Sequence, residues 1–236
     1  MTNVRKQTNT KKQDKREEAV LKKIVASIAL AITASAYFGV GPGIFDKTNG
    51  RLPWSTWFVL GPTLLGQHLS LFYYRRESRA WDQVIPQVWM GRLLNLGEAA
   101  AAVSSGVTAV LDLSAEFSET APFRAITYRN IPVLDLTAPT RDQLQEMAAF
   151  IDEQSQSGII YVHCKIGYSR TAAAVAAYLL QTGKAGSVSE AIAMLRQVRP
   201  RIVVRSEILA ALSDFERGLA ANSHDLFSSP QGITAS

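Results

Sequence analysis

A single cysteine, Cys164, stands in 236 residues. No disulfide can therefore close within the chain, and a metal site of the Cys-x2-Cys kind is excluded. A free thiol fits a reducing compartment such as the cytoplasm. Charge is missing from two long stretches: residues 24–45 and 52–74 contain no Asp, Glu, Lys or Arg. Elsewhere charge is uneven. Residues 1–23 carry eight Lys or Arg against three Asp or Glu, a surplus of five that equals the +5 of the whole chain. From residue 24 onward the chain is neutral, so its basic character is no argument for a nucleic-acid partner. No aromatic residue is interleaved with the basic cluster, which removes the stacking platform that single-strand binders use. No nucleic acid is expected. Internal repeats and low-complexity tracts are also lacking. Hydrophobic residues at 47% and charged ones at 19% suit a packed core rather than a disordered chain.

The two uncharged runs each exceed the ~20 residues that cross a ~30 Å hydrocarbon core as a helix. The first ends at Gly39-Val-Gly-Pro-Gly, a helix stop. The second has Trp54 and Trp57 at one end and Tyr73 and Tyr74 at the other, as interfacial aromatics do, although Pro62, Gln67 and His68 lie inside it. Basic residues precede the first run, and Arg75, Arg76 and Arg79 follow the second. The sequence predicts a membrane hairpin over residues 24–74, with helices at about 24–45 and 52–74. A basic tail (1–23) precedes it, and an external turn lies at 46–51. The positive-inside rule then puts both ends in the cytoplasm, with the inner membrane of a bacterium as the expected location. The bilayer is the expected partner of this segment.

From Trp81 the texture changes to that of an α/β domain, 81–219, with a mostly parallel or mixed central sheet flanked by helices. Apolar runs at 84–90, 109–113, 125–130 and 159–163 read as strands. Helical spacing recurs over 140–154, 171–181, 187–198 and 206–219. Thr140 with Gln143 is a capping-box pattern. Residues 223–236 are polar and unpatterned and are expected to be a disordered tail.

The run His163-Cys164-Lys165-Ile166-Gly167-Tyr168-Ser169-Arg170-Thr171 sits where an apolar strand gives way to an Ala-rich helix. Such a loop aims free N–H groups and the positive end of the helix dipole at one place, an anion site. A cysteine at its start is favoured as thiolate by the same field. An arginine six residues on can fork two phosphoryl oxygens, and Gly167 lets the loop bend.

His163-Cys164-x5-Arg170-Thr171 resembles the signature of protein tyrosine and dual-specificity phosphatases, over residues 81–219. The resemblance implies Cys164 as nucleophile, Arg170 as catalytic phosphate ligand, and Lys165, Ile166, Gly167, Tyr168, Ser169, Arg170 and Thr171 as the substrate-binding loop. His163 becomes a supporting residue that orients the loop and lowers the thiol pKa. It also calls for a general acid on another loop. Asp135, 29 residues before the cysteine, is the candidate, and Asp112 the rival. No metal or other cofactor is implied. The expected reaction is phosphomonoester hydrolysis through a phosphocysteine, by a protein tyrosine or dual-specificity phosphatase acting on a phosphorylated protein. The alternative is a membrane phospholipid or phosphoinositide phosphatase. Lys165 favours the alternative, since several lipid-directed relatives have lysine there, while Tyr168 interrupts their doubly basic loop. A non-catalytic phosphate-binding module is the reading from another class.

Overall fold

The computed structural model describes residues 2–228. A five-stranded sheet of order β1-β2-β5-β3-β4 organises the chain beyond residue 80. Its strands are β1 (Trp81–Ile85), β2 (Val88–Arg92), β3 (Val107–Ser114), β4 (Thr127–Val133) and β5 (Ile159–Cys164). Only the β1–β2 pair is antiparallel; β2–β5, β5–β3 and β3–β4 run parallel. The single strand expected at 84–90 is instead a hairpin. Pro86, which has no N–H to give a ladder, turns the run between Ile85 and Val88.

Alternation along the strands sends side chains to two cores. Val88, Met90, Leu111, Ile160 and Val162 pack on one face against α5 (Arg141–Ser155), α6 (Arg170–Gln181), α7 (Val188–Val198) and α8 (Ser206–Ser228). Trp89, Val110 and Tyr161 pack on the other against α3 (Leu96–Ser104) and α4 (Ala121–Arg124), through Ala99, Ala102 and Phe123. Thr140 caps α5 with the reciprocal bonds expected of its spacing with Gln143. Asn95 and Glu98 cap α3 in the same way. The last helix runs on to Ser228, so residues 223–228 of the expected disordered tail are helical. The remainder of that tail, 229–236, lies outside the described residues.

The N-terminal segment departs furthest from expectation. Helix α1 (Thr2–Ser35) takes in the basic tail and most of the first apolar run, then breaks in a π turn at Ala36–Val40 and a 3-10 stretch at Gly41–Phe45. Residues Lys15–Phe45 have the length and composition of a membrane span, and among the described residues no other helix does. Helix α2 (Trp54–Arg75) lies against the α/β domain. Its buried stripe of Leu60 and Leu64 meets Ala115 and Leu134, and Leu71 meets Leu93 and Phe117. Arg75 reaches Glu98 at 2.6 Å.

The turn between the helices is also docked. The Leu52 N–H donates to Ser118 Oγ at 3.0 Å. The Glu119 N–H donates to Gly50 O at 2.7 Å. The external turn of a membrane hairpin would be a bilayer away from the domain. One apolar helix therefore remains a candidate span, and α2 is a helix of the protein surface.

Candidate active site

β5 ends at Cys164 and α6 begins at Arg170, so the intervening loop closes the N-terminus of a helix buried along nearly its whole length. Gly167 has φ +74°, and a Cβ there would lie 2.2 Å from Gly91 O, so the loop tolerates no side chain at this point. The Gly167 N–H donates to Cys164 Sγ at 3.3 Å. Arg199, bound to Asp82 at 2.6 Å, donates to Ile166 O at 3.0 Å and holds the loop from behind. The Val203 N–H donates to Tyr168 O at 3.0 Å.

Burial alone would push the Cys164 thiol up. The Arg170 charge, the Thr171 hydroxyl and the N–H groups of Thr171 and Gly167 outweigh it and hold the thiol below its ordinary range. The Thr171 hydroxyl is buried with no oxygen or nitrogen partner among the described residues.

Arg170 is 2% exposed. Its fork grips Glu116 Oε1 at 2.8 Å and Oε2 at 3.1 Å, and it donates to Val133 O at 2.8 Å. Burial works against the Glu116 carboxylate, but the Arg170 charge and hydrogen bond keep it ionised, below the usual carboxylate range. The pair fixes the guanidinium without consuming all five of its donors.

Asp135 lies on the loop after β4. Its Oδ1 is 3.3 Å from Arg170 Nη2 and its Oδ2 is 3.9 Å from Lys165 Nζ. The next residue, Leu136, has φ +64° and gives its carbonyl to Arg205. Lys165 is buried and donates to Gln67 Oε1 of α2 at 2.6 Å, with its ammonium pKa lowered chiefly by burial.

These groups open on one cleft of about 460 Å³, lined by Cys164, Asp135 and Arg170 together with Lys165, Ile166, Tyr168 and Ser169. Gly167 and Thr171 are buried and do not line it. Three contributors went unnoticed in the sequence: Ser70 and Tyr74 of α2, and the Arg201–Arg205 stretch before α8. Asp112, the rival acid, is fully buried away from this lining.

Behind the loop, His163 stacks on Tyr161 and its Nε2 is 2.7 Å from Glu119 Oε2. Burial disfavours the imidazolium, but Glu119 and then Asp112 raise its pKa above the ordinary histidine value. Asp112 Oδ2 meets Lys47 Nζ at 2.5 Å and accepts from Tyr128 Oη at 2.8 Å. Asp112, Glu119 and His163 bring one ligand atom each within 4.8 Å of one another. Lys47 already stands where a cation beside Asp112 would go, so the trio is an ion-pair network. Glu116, Glu119 and Lys47 carried no local signal in the sequence, since only the fold brings them to the loop.

A strand-ending cysteine, a helix-starting arginine and a carboxylate on a facing loop stand together here, the arrangement that the Cys-x5-Arg resemblance implies. Residues 93–218 match the family model described as the dual specificity phosphatase catalytic domain. The chain belongs to the dual specificity phosphatase family, cysteine-dependent hydrolases of phosphoric monoesters. It is similar to the human "Phosphatidylglycerophosphatase and protein-tyrosine phosphatase 1", 39% identical over 93 residues, 39% of this chain and 46% of the relative. It thus spans about half the length of that relative. It is also similar to the Arabidopsis thaliana "Phosphatidylglycerophosphate phosphatase PTPMT2", 27% identical over 180 residues, 72% of this chain and 77% of the relative. The crystal structure of PTPMT1 in complex with PI(5)P superposes with TM-score 0.57 at 25% identity, covering 61% of this chain and 99% of that one.

Proposed function

We propose that the protein hydrolyses phosphate monoesters on the headgroups of membrane phospholipids. Cys164 Sγ attacks phosphorus and the P–O bond to the alcohol breaks, while Asp135 gives its proton to the departing oxygen. Asp135 then takes a proton from water, which attacks the phosphocysteine and releases phosphate. Thr171 donates its hydroxyl to the leaving sulfur. Arg170 and the loop N–H groups carry the charge on the equatorial oxygens in both steps. An incoming phosphoryl group meets Asp135 at the same Arg170 edge, so its binding frees the carboxyl for proton transfer.

The substrate class rests chiefly on α2. Trp54, Phe58, Leu65, Leu69 and Phe72 recur at spacings of three, four and seven on its outer face and are 59–81% exposed. The stripe runs about 27 Å, at 1.5 Å per residue, and is followed by Arg76, whose guanidinium stacks on Phe72 at 4.6 Å. An apolar face of this kind, edged by arginine and aromatics, suits the headgroup region of a bilayer. Ser70 and Tyr74 of the same helix line the Cys164 cleft. The cleft side of α2 lies across the helix from this stripe, so a membrane seated on the stripe holds the site close to the headgroup layer rather than against it, and α1 adds an anchor. The name of the Arabidopsis relative points the same way, and that of the human one includes a lipid activity beside a protein one. The second reading, a phosphorylated protein, draws on Tyr168 in place of a second basic loop residue, and on human "Dual specificity protein phosphatase 2", 30% identical over 152 residues.

The test offers the detergent-purified full chain a lipid phosphomonoester in vesicles and a phosphotyrosyl peptide in solution. A kcat/KM for the lipid well above that for the peptide is expected, and the reverse order overturns the lipid reading. Protease digestion of sealed vesicles reads the topology. A crossing α1 protects either the basic tail or the domain, whereas an α1 lying flat exposes both together.

A further inference from the structure

Six charged side chains lie buried together behind the catalytic loop. Three are cationic: Lys47, His163 and Arg170. Three are carboxylates: Asp112, Glu116 and Glu119. Lys47 is 3% exposed at its side chain, and the other five are 0–4% exposed. Counted with His163 as the imidazolium that its 2.7 Å approach to Glu119 favours, the set is neutral before the thiolate is added. Five of the six fall within residues 93–218, the extent of the family domain. The sixth, Lys47, comes from the turn between α1 and α2. Left to itself the family domain would bury these three carboxylates against two cations; Lys165, also buried, is on the cleft side of the loop, where it faces Asp135 and Gln67.

We infer that Lys47 is a positioning residue for catalysis: the N-terminal segment supplies the missing cation of the network behind the nucleophile, and without it the site is electrically incomplete. Lys47 Nζ reaches Asp112 Oδ2 at 2.5 Å and Ser114 O at 2.9 Å, so it is a built contact with two partners. The rest of Asp112 is satisfied by the Ser114 N–H at 2.8 Å, Ser114 Oγ at 2.7 Å and Tyr128 Oη at 2.8 Å. Asp112 in turn stands 3.9 Å from His163 Nε2. The field of Lys47 also reaches Glu116, helping to keep ionised the carboxylate that aims Arg170.

Removing the ammonium strands a buried carboxylate, and such a charge costs far more than an exposed one. The surplus negative potential falls on the neighbouring thiol and disfavours its ionisation. The turn is fixed in place by the backbone contacts of Gly50 and Leu52 already described. Docking of the N-terminal segment is thus tied to the chemistry of the loop, whatever the substrate.

The chain has one cysteine, so alkylation by iodoacetamide reports Cys164 alone. The full chain in detergent is compared as wild type, Lys47→Met, Lys47→Arg, Lys47→Met with Asp112→Asn, and Arg51→Gln as a charge control from the same turn. Lys47→Met should raise the pH midpoint of alkylation by about one unit and lower aryl phosphate turnover at neutral pH about ten-fold. Lys47→Arg should keep most of both. The double variant removes one charge of each sign and should bring the midpoint back toward wild type, while Arg51→Gln leaves it unmoved.

A folded Lys47→Met with a wild-type midpoint overturns the inference, as does a double variant displaced as far as the single one. Failure of Lys47→Met to fold, with a folded double variant, is the result expected of an unbalanced buried charge.

Discussion

Arg170, with its fork held by Glu116 and its remaining edge toward Asp135, lines the same cleft as the Cys164 thiol, and the consequences of losing either are separable. Cys164→Ser should abolish turnover of an aryl phosphate while tungstate or vanadate binding persists. Arg170→Lys should cost at least about 10²-fold, because a point charge cannot reproduce two parallel bonds to a phosphoryl group. Asp135→Asn should cost ~10²–10⁴-fold in kcat, the range for a general acid. Asp112→Asn acts elsewhere. Burial opposes the Asp112 carboxylate, but the charges of Lys47 and His163 bring its pKa down to about 2.

A depressed carboxylate stabilises the fold above the unfolded value of about 3.9 and loses that contribution as pH falls toward the folded value. Thermal midpoints should therefore drop between about pH 4 and pH 2 more steeply in wild type than in Asp112→Asn; parallel curves would show that Asp112 contributes nothing there. The Cys164–Arg170 pair was legible in the sequence because six residues of local chain carry its whole geometry. Glu116 and Lys47 were not, since 54 and 117 residues separate them from Arg170 and Cys164 and only the packed sheet closes those gaps.

At the scale of elements, periodicity found the helices whose apolar faces are continuous and missed what turns on one residue. Strands 109–113 and 159–163 and the capped helix at 140 stood out, whereas Pro86 hid a hairpin inside an apolar run. The run at 52–74 reads as a membrane span because its hydrophobicity extends all round. Folding divides it, with Leu60, Leu64 and Leu71 going to the domain and Phe58, Leu65 and Leu69 outward. No rule of composition separates a bilayer from a protein surface as the solvent of the first face. The outward face gives a prediction. Leu65→Glu with Leu69→Glu forfeits about 1.5–3 kcal/mol of apolar burial per side chain at a membrane. Vesicle binding and lipid turnover should fall at least ten-fold, with soluble aryl phosphate turnover held. Equal loss on both substrates would assign the two leucines to folding. In the loop, Gly167→Ala meets Gly91 O and a left-handed backbone at once. It should destroy activity with little change in helix content by circular dichroism.

The whole molecule is a family domain with one side of its site completed from outside the family boundaries. α2 gives Gln67 to Lys165 and walls the cleft, while the turn gives Lys47 to Asp112. A fragment beginning at residue 80 would expose Leu93 and Phe117 where Leu71 now covers them and leave Asp112 without its cation. Its thermal midpoint should lie well below that of the full chain, and a midpoint equal to it would make the segment a passive anchor.

The central claim is the covalent step at Cys164. It is tested most directly by acid-quenching the full chain within the first turnovers of a fast-leaving aryl phosphate and mapping the modified peptide by mass spectrometry. The account predicts one phosphoryl group, on the peptide that carries Cys164, absent from Cys164→Ser. Turnover at full rate with no adduct at Cys164, or an adduct on another residue, would contradict it.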